Sequence, residues 1–363
     1  MFWGTVSRTE EGPFRYQGWP TAACDKNGTV YVAASGHRVS HICPFGKTLL
    51  YKSTDGGISF SKPEIVNDTA LDDRDAGILI RRNGDMIISW FNHPRNFYFD
   101  MERELKEKWI KPEFHALTDG MFAFWRSLSE KDADFGSFIR ISRDSGKTFS
   151  EKIKVPTSAP HGPIEANDGS LIYLGKANYI DGSLSRRICC AKSTDGGLTW
   201  EISGVVPVPD GYGIEDFHEP HAVMLPSGRI LGAIRMERRS PKWEFRIFLT
   251  FSDDFGTTWS TPEMLDLWGA PPHLMLHSSG AVILTYGKRT APLGAAAKVS
   301  FDSGKTWGRE IALNASGADP DLGYASTCEL PDGSLFSAYY QKLPGDNFNS
   351  ILYTKWNLSE AEI

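Results

Sequence analysis

The sequence predicts an all-β fold, a six-bladed β-propeller, and two interleaved repeats carry that prediction. The first is the phrase Ser-x-Asp-x-Gly-x-x-aromatic, which occurs at Ser53 to Phe60, Ser142 to Phe149, Ser193 to Trp200, Ser252 to Trp259 and Ser300 to Trp307. Its aspartates are spaced by 89, 51, 59 and 48 residues. A unit of about 50 residues therefore recurs, and one copy carries an insertion. A strand-rich, glycine-punctuated unit of that length is the signature of a propeller blade. Within the phrase, Ser and Asp side chains bond nearby backbone N–H groups, glycine permits positive φ, and the aromatic packs between layers.

The second repeat is a hairpin turn ahead of an apolar run: Asn27-Gly28, Asn83-Gly84, Asp168-Gly169, Ser227-Gly228, Ser279-Gly280 and Asp332-Gly333. The strands that follow are Thr29 to Ala34, Met86 to Phe91, Leu171 to Leu174, Ile230 to Ile234, Ala281 to Tyr286 and Ser334 to Tyr340. Such dipeptides between apolar runs are the strongest short-range hairpin signal. Six turns mean six blades, each reading strand, turn, strand, loop, strand, Ser-Asp phrase, strand. The last blade has three strands of its own, ending in Ser350 to Trp356. Its fourth is expected from Gly4 to Arg8, since closing the ring with the N-terminal strand removes an exposed edge.

No Pro- or Ser-rich linker interrupts the repeat, so residues 1–363 are expected to form a single propeller domain. A formal net charge of −6 with no basic run argues against a nucleic-acid partner. No apolar stretch has the length to span a bilayer. Met1-Phe2-Trp3 leads directly into charged sequence without a secretory leader, so a cytoplasmic location is expected. Cys24, Cys43, Cys189, Cys190 and Cys328 have no metal-ligand spacing, and most of them read as small buried hydrophobes. No zinc pattern, nucleophile elbow or phosphate loop is present, so neither a metal nor a cofactor is expected.

The regular spacing fails between Asn92 and Gly136, in blade two. Glu102 to Trp109 is a good helix former with mixed charges, and Gly120 to Leu128 is crowded with Met121, Phe122, Phe124 and Trp125. Such an excursion either packs on the blade edge or forms a flap over the mouth of the ring.

In a propeller the first strand of each blade lines the axis, and ionisable groups at one end of those strands converge. Blade one offers His37, Arg38 and His41 after its second strand. Blade two opens with Asp72, Asp73, Arg74 and Asp75, and blade three with His161. Blade four opens with Glu215, Asp216, His218, Glu219 and His221, and its second strand reaches Arg235. Blade five supplies His273, Lys288 and Arg289; blade six supplies Asp321 and Tyr324. One polar group per blade at an equivalent place points to a site at the mouth.

These motifs resemble the sialidase (neuraminidase) superfamily, whose six-bladed propellers carry the Ser-Asp phrase as the Asp-box or BNR repeat. The resemblance covers nearly the whole chain outside the insertion. His218-Glu219-Pro220-His221 with Arg235 sixteen residues later is similar to the family's Glu and Arg. Gly287-Lys288-Arg289 stands where the third arginine of a carboxylate-binding triad is expected. Gly323-Tyr324-Ala325-Ser326 before Pro331-Asp332-Gly333 resembles the nucleophile segment, which makes Tyr324 the nucleophile's counterpart. Ser35-Gly36-His37-Arg38 looks like the family's arginine turn. Two features depart from the pattern. The first triad Arg is replaced in Gly18-Trp19-Pro20, and no carboxylate follows Arg38 where the acid is expected.

The resemblance implies an exo-glycosidase for a terminal sugar bearing a carboxylate, sialic acid or a relative. Tyrosine titrates near 10 and is a poor nucleophile unless a neighbour takes its proton, the role implied for Glu219. Arg235 and Arg289, with Arg38 or Arg74, would hold the sugar carboxylate through forked hydrogen bonds. His41 is the expected acid and Asp75 the second candidate. His37, His161, His218, His221 and His273 are expected to line the substrate site. Two alternatives stay open: a hydrolase or lyase for a uronic acid or other sugar using the histidines, and a non-catalytic carbohydrate-binding propeller.

Overall fold

The computed structural model describes every residue except Pro241, Glu362 and Ile363. Six four-stranded antiparallel sheets follow one another along the chain. Their first strands, Tyr16–Cys24, Arg74–Ile80, Ile164–Glu165, Phe217–Met224, Gly269–Leu276 and Gly323–Glu329, contact one another around the axis. Six apolar clusters fill the six interfaces between neighbouring blades. Each sheet is thus buried on both faces, and its middle strands are near-continuous apolar runs such as Val282–Lys288.

The ring closes as expected. Phe2–Ser7 pairs with Ser350–Trp356 and completes blade six, two residues earlier than Gly4 to Arg8. Covering that edge satisfies the outer backbone groups of the last strand.

Each Ser-Asp phrase joins a third strand to a fourth. In the first copy Gly57 N–H donates to Ser53 Oγ at 2.9 Å, and Ile58 and Ser59 N–H both donate to Asp55 Oδ1. Gly57 has φ 82°, and a Cβ there would stand 2.6 Å from the Phe336 ring of blade six, so only glycine lets the turn seat against its neighbour. Antiparallel order puts these turns at the end of the ring opposite the start of the first strands.

The insertion is helical. Arg95–Asp100 forms one short helix, residues 102–109 continue as helical turns ending in a π-turn, and His115–Ser127 forms the longest helix. Tyr98, Leu105, Ile110, Phe114, Phe122 and Trp125 bury themselves in the cluster shared by blades one and six. Trp125 Nε1–H donates to Ala70 O at 2.7 Å. The flap expectation describes this segment better than the blade-edge one, because it reaches the mouth.

Candidate active site

One backbone device repeats around the mouth. Near its start, the first strand of five blades loses register with its neighbour, between Gly18 and Thr21, Arg74 and Gly77, His218 and His221, Gly269 and Pro272, and Gly323 and Ser326. Inside four of these bulges sits a non-glycine residue with positive φ: Trp19 at 55°, Asp75 at 52°, Glu219 at 41° and Tyr324 at 52°. Gly162 takes the place in blade three, at 81°. A bulge re-aims a side chain, and left-handed φ in such residues costs on the order of 1–3 kcal/mol each, strain that clusters at functional sites.

The re-aimed side chains meet. Tyr324 Oη donates to Glu219 Oε1 at 2.7 Å, although blades six and four are not adjacent. Arg235 pairs Glu219 through one arm and Glu237 through the other, and its Nη1 also lies 3.3 Å from Tyr324 Oη. Burial alone would raise the Glu219 carboxyl, but the Arg235 guanidinium and the Tyr324 hydroxyl outweigh it and hold the group below its ordinary value. Burial and the Glu219 charge push the Tyr324 phenol well above its own.

Asp75 behaves oppositely. Burial lifts its carboxyl to about 7, with the Glu219 charge adding to the rise against the opposing Arg74 and Arg38 guanidinium groups. Its Oδ1 is buried without a hydrogen-bond partner. Two carboxyls at one mouth are therefore driven apart, one toward the base and one toward the acid, the pattern that separates catalytic roles.

The ring of His41, the acid expected from the sequence, faces a carboxylate. Arg38 and Arg74 donate to its backbone carbonyl at 3.2 and 3.1 Å, while its ring Nδ1 faces Asp321 Oδ1 at 2.8 Å. Tyr16 and Tyr340 hydroxyls donate to the same carboxylate. Burial would raise Asp321, but His41 and these hydroxyls hold it near 2. Trp109 from the insertion stacks on the imidazole at 5.7 Å, and Trp19 meets its edge at 5.1 Å.

Several expected substrate contacts are taken up by the protein itself. Arg38 is wholly buried, forked onto Asp72 and lying over Trp19, so it props the mouth from beneath and is not a substrate contact. Arg235 is held by two carboxylates, Glu219 and Glu237, which neutralise its charge. Arg74 is nearly buried against Asp72 and Trp19. Arg289 donates to the Ala270 and Pro320 carbonyls and lies over Phe245, and among the described residues no carboxylate pairs it.

The histidines divide. His161, His221 and His273 are buried at the axis with ring centroids 4.4 to 5.7 Å apart. Desolvation pushes His221 down to about 3 and the other two well below their ordinary value, so all three are neutral packing groups beneath Tyr324. His37 packs near Phe14 and Lys47 at the periphery of blade one and joins none of the others. His218, on the first strand of blade four, faces blade three, its Nδ1 accepting from Lys176 Nζ at 3.2 Å, and burial lowers it to about 4.

Trp19 and Trp109 carry no ionisable group to mark them in the sequence, and no residue near Asp321 in the chain announces its partner. One signal was available for the first. A residue followed by proline recurs where the first strands begin, at Trp19-Pro20, Gly162-Pro163, Glu219-Pro220 and Ala270-Pro271, and proline within a strand marks a bulge.

Residues 102–337 match the family model of the BNR repeat-like domain. Among curated proteins no sequence matches the chain. A protein of unknown function from Dyadobacter fermentans aligns over 97% of both chains at 21% identity, with a TM-score of 0.74. A leech intramolecular trans-sialidase aligns over 96% of this chain and 68% of its own, at 17% identity and a TM-score of 0.67. An α-L-arabinanase from Penicillium chrysogenum aligns over 95% and 94%, at 14% identity and a TM-score of 0.64. At these identities the likeness is one of fold.

Proposed function

The chain belongs to the BNR repeat-like family, and we propose that it is a glycoside hydrolase working at the mouth of the ring with Tyr324 as nucleophile. The observation that carries this reading is the 2.7 Å hydrogen bond from Tyr324 to Glu219 between two strained bulges of non-adjacent blades. In the first step Tyr324 Oη bonds to the anomeric carbon as the glycosidic C–O bond breaks. Glu219 takes the phenolic proton, and the leaving oxygen receives one from Asp75. Water then attacks the glycosyl-tyrosine, giving a proton back to Asp75 while Glu219 reprotonates the tyrosine. Sialidases with a tyrosine nucleophile are a recognised exception among glycosidases that use two carboxylates. Asp75 replaces His41 as the favoured acid because its carboxyl keeps its proton up to about pH 7.

The primary reading keeps a terminal sugar bearing a carboxylate. A neutral nucleophile avoids repulsion with an anion, and the Arg289 guanidinium stands near the mouth without a carboxylate partner. The four-arginine clamp expected from sequence does not support it, since Arg38 and Arg235 are neutralised internally. Trp19 in place of the first arginine favours a second reading, hydrolysis of a neutral sugar by the same pair. A panel of 4-nitrophenyl and methylumbelliferyl glycosides, including sialic acid, uronides and L-arabinofuranosides, separates these readings. Turnover that survives Tyr324→Phe overturns the nucleophile assignment. An adduct on Tyr324 trapped with a fluorinated glycosyl fluoride and located by mass spectrometry supports it.

A further inference from the structure

Blade three sends to the mouth a buried cation that the mechanism does not use. Lys176 ends the second strand of that blade, Leu171–Lys176, and is 4% exposed. Phe217 O accepts from its Nζ at 2.8 Å and His218 Nδ1 at 3.2 Å, both at the start of blade four, and Glu215 Oε2 stands 3.6 Å from the same nitrogen. Burial lowers Lys176 from its ordinary value, while the Glu215 and Glu219 charges oppose the fall and hold it as the ammonium. An ammonium has three protons and no lone pair, so it can only donate. The Nδ1 it meets is therefore bare, and the one proton of a neutral imidazole sits on Nε2.

The same contact helps to keep His218 neutral. Burial takes the ring down to about 4, and the Lys176 and Arg235 charges add to the fall against Glu219 and Glu237. Asp216, two residues earlier, also feels its charge. Among the described residues nothing accepts from Nε2, and the ring lines a cavity of about 470 Å³ beside Glu219, a size typical of small-molecule sites. Asp75, which faces the leaving oxygen, is not among the walls, so the opening lies beside the terminal sugar. A neutral donor suits this place. An imidazolium would compete with Arg235 for Glu219 and repel the guanidinium, whereas a neutral N–H offers a hydrogen bond and leaves the charge of the base alone.

We propose that Lys176 is a positioning residue that fixes His218 as a neutral hydrogen-bond donor, its Nε2–H offered beside Glu219 to an acceptor oxygen of the terminal sugar. The role deepens the reading of Tyr324 and Glu219 as the reaction centre and rests on it. The group it recognises is a hydroxyl or carbonyl oxygen; a substituent that can only donate finds no partner at this nitrogen.

The test reads the imidazole directly, by nitrogen chemical shifts of protein carrying isotope-labelled histidine, with His218→Gln to assign the resonance. The wild type should show one His218 tautomer, protonated at Nε2, with no titration between about pH 5 and about pH 9. Lys176→Met keeps the length of the side chain and removes its donors. In that variant both tautomers should appear and the midpoint should rise toward the ordinary value of about 6.5. On whichever 4-nitrophenyl glycoside is turned over, Lys176→Met should raise KM about tenfold at neutral pH with kcat changed less, and Lys176→Arg, which can still donate, should recover part of the loss. A wild-type His218 protonated at Nδ1, or one titrating near its ordinary value, overturns the assignment, and that arm needs no variant of Lys176 to fold. A Lys176→Met protein that loses only Tm, with tautomer, midpoint and KM as in the wild type, overturns it as well. If Tyr324→Phe keeps its turnover while His218 shows the fixed tautomer, the nucleophile assignment falls and the role of Lys176 stands.

Discussion

The two ends of the ring repeat different things. At the end that carries the Ser-Asp turns, side chain and backbone recur together. Ser193 Oγ accepts from Gly197 N–H at 2.9 Å and Asp195 accepts from Leu198 and Thr199 N–H, just as Ser53 and Asp55 do in the first copy. At the mouth only the backbone recurs. The same bulge with positive φ presents a tryptophan, an aspartate, a glutamate and a tyrosine in blades one, two, four and six. A device repeated with one side chain serves the blade, and a device repeated with different side chains serves a site that needs each of them once.

The contrast breaks most sharply at Tyr324. Tyr324→Phe should lower kcat/KM by a factor on the order of 10³ or more, while stability changes by about 1 kcal/mol, the worth of one hydrogen bond. A large fall in Tm with little loss of activity would make this tyrosine a structural residue like those of the turns.

Asp75 sharpens the comparison through pH. As the acid it must be protonated, so turnover of poor leaving groups should fall as the pH rises through about 7. Asp75→Asn should remove that limb and cost about 10²-fold on poor leaving groups, with activated aryl glycosides much less affected. Its stability effect has the opposite sign from a paired carboxylate. The folded value lies above the ordinary 3.8, so the penalty of burying the ionised group grows between about pH 4 and 7 and is complete above that. Asp75→Asn should therefore raise Tm at pH 8 and leave it nearly unchanged at pH 4. A variant that is destabilised at pH 8 would contradict the buried, unpaired carboxyl.

The smallest effect belongs to the opposite end. Ser193→Ala removes a buried cap and should cost about 1 kcal/mol, with kcat/KM unchanged. Loss of activity at constant stability would mean that the two ends are coupled.

The fold was legible because blade geometry is local. Turn dipeptides, apolar runs and the Ser-Asp phrase act within a few residues, and six turns with five phrases average away the ambiguity of any one copy. The Tyr324, Glu219 and Arg235 positions were legible through their motif, and three of the five bulges carry an X-Pro pair, at Trp19, Glu219 and Ala270. Which arginine is free was not, because Arg38 and Arg235 carry the same charge in sequence whether or not a carboxylate neutralises them. Asp321 lies 280 residues from His41 along the chain, so nothing local announces their pairing.

The amino-acid order by itself determined the six blades, the N-terminal strand that closes the ring, the helical insertion in blade two and the residue types available at the mouth. Tertiary structure alone decided which of those residues meet, which are desolvated and where the insertion comes to rest. It paired Tyr324 with Glu219, clustered three histidines at the axis as neutral packing, and set Trp109 against His41. The reason is physical. Strand and turn preferences are properties of neighbours in the chain, whereas the charge state of Asp75 and the freedom of Arg289 depend on atoms that only ring closure brings within a few ångströms.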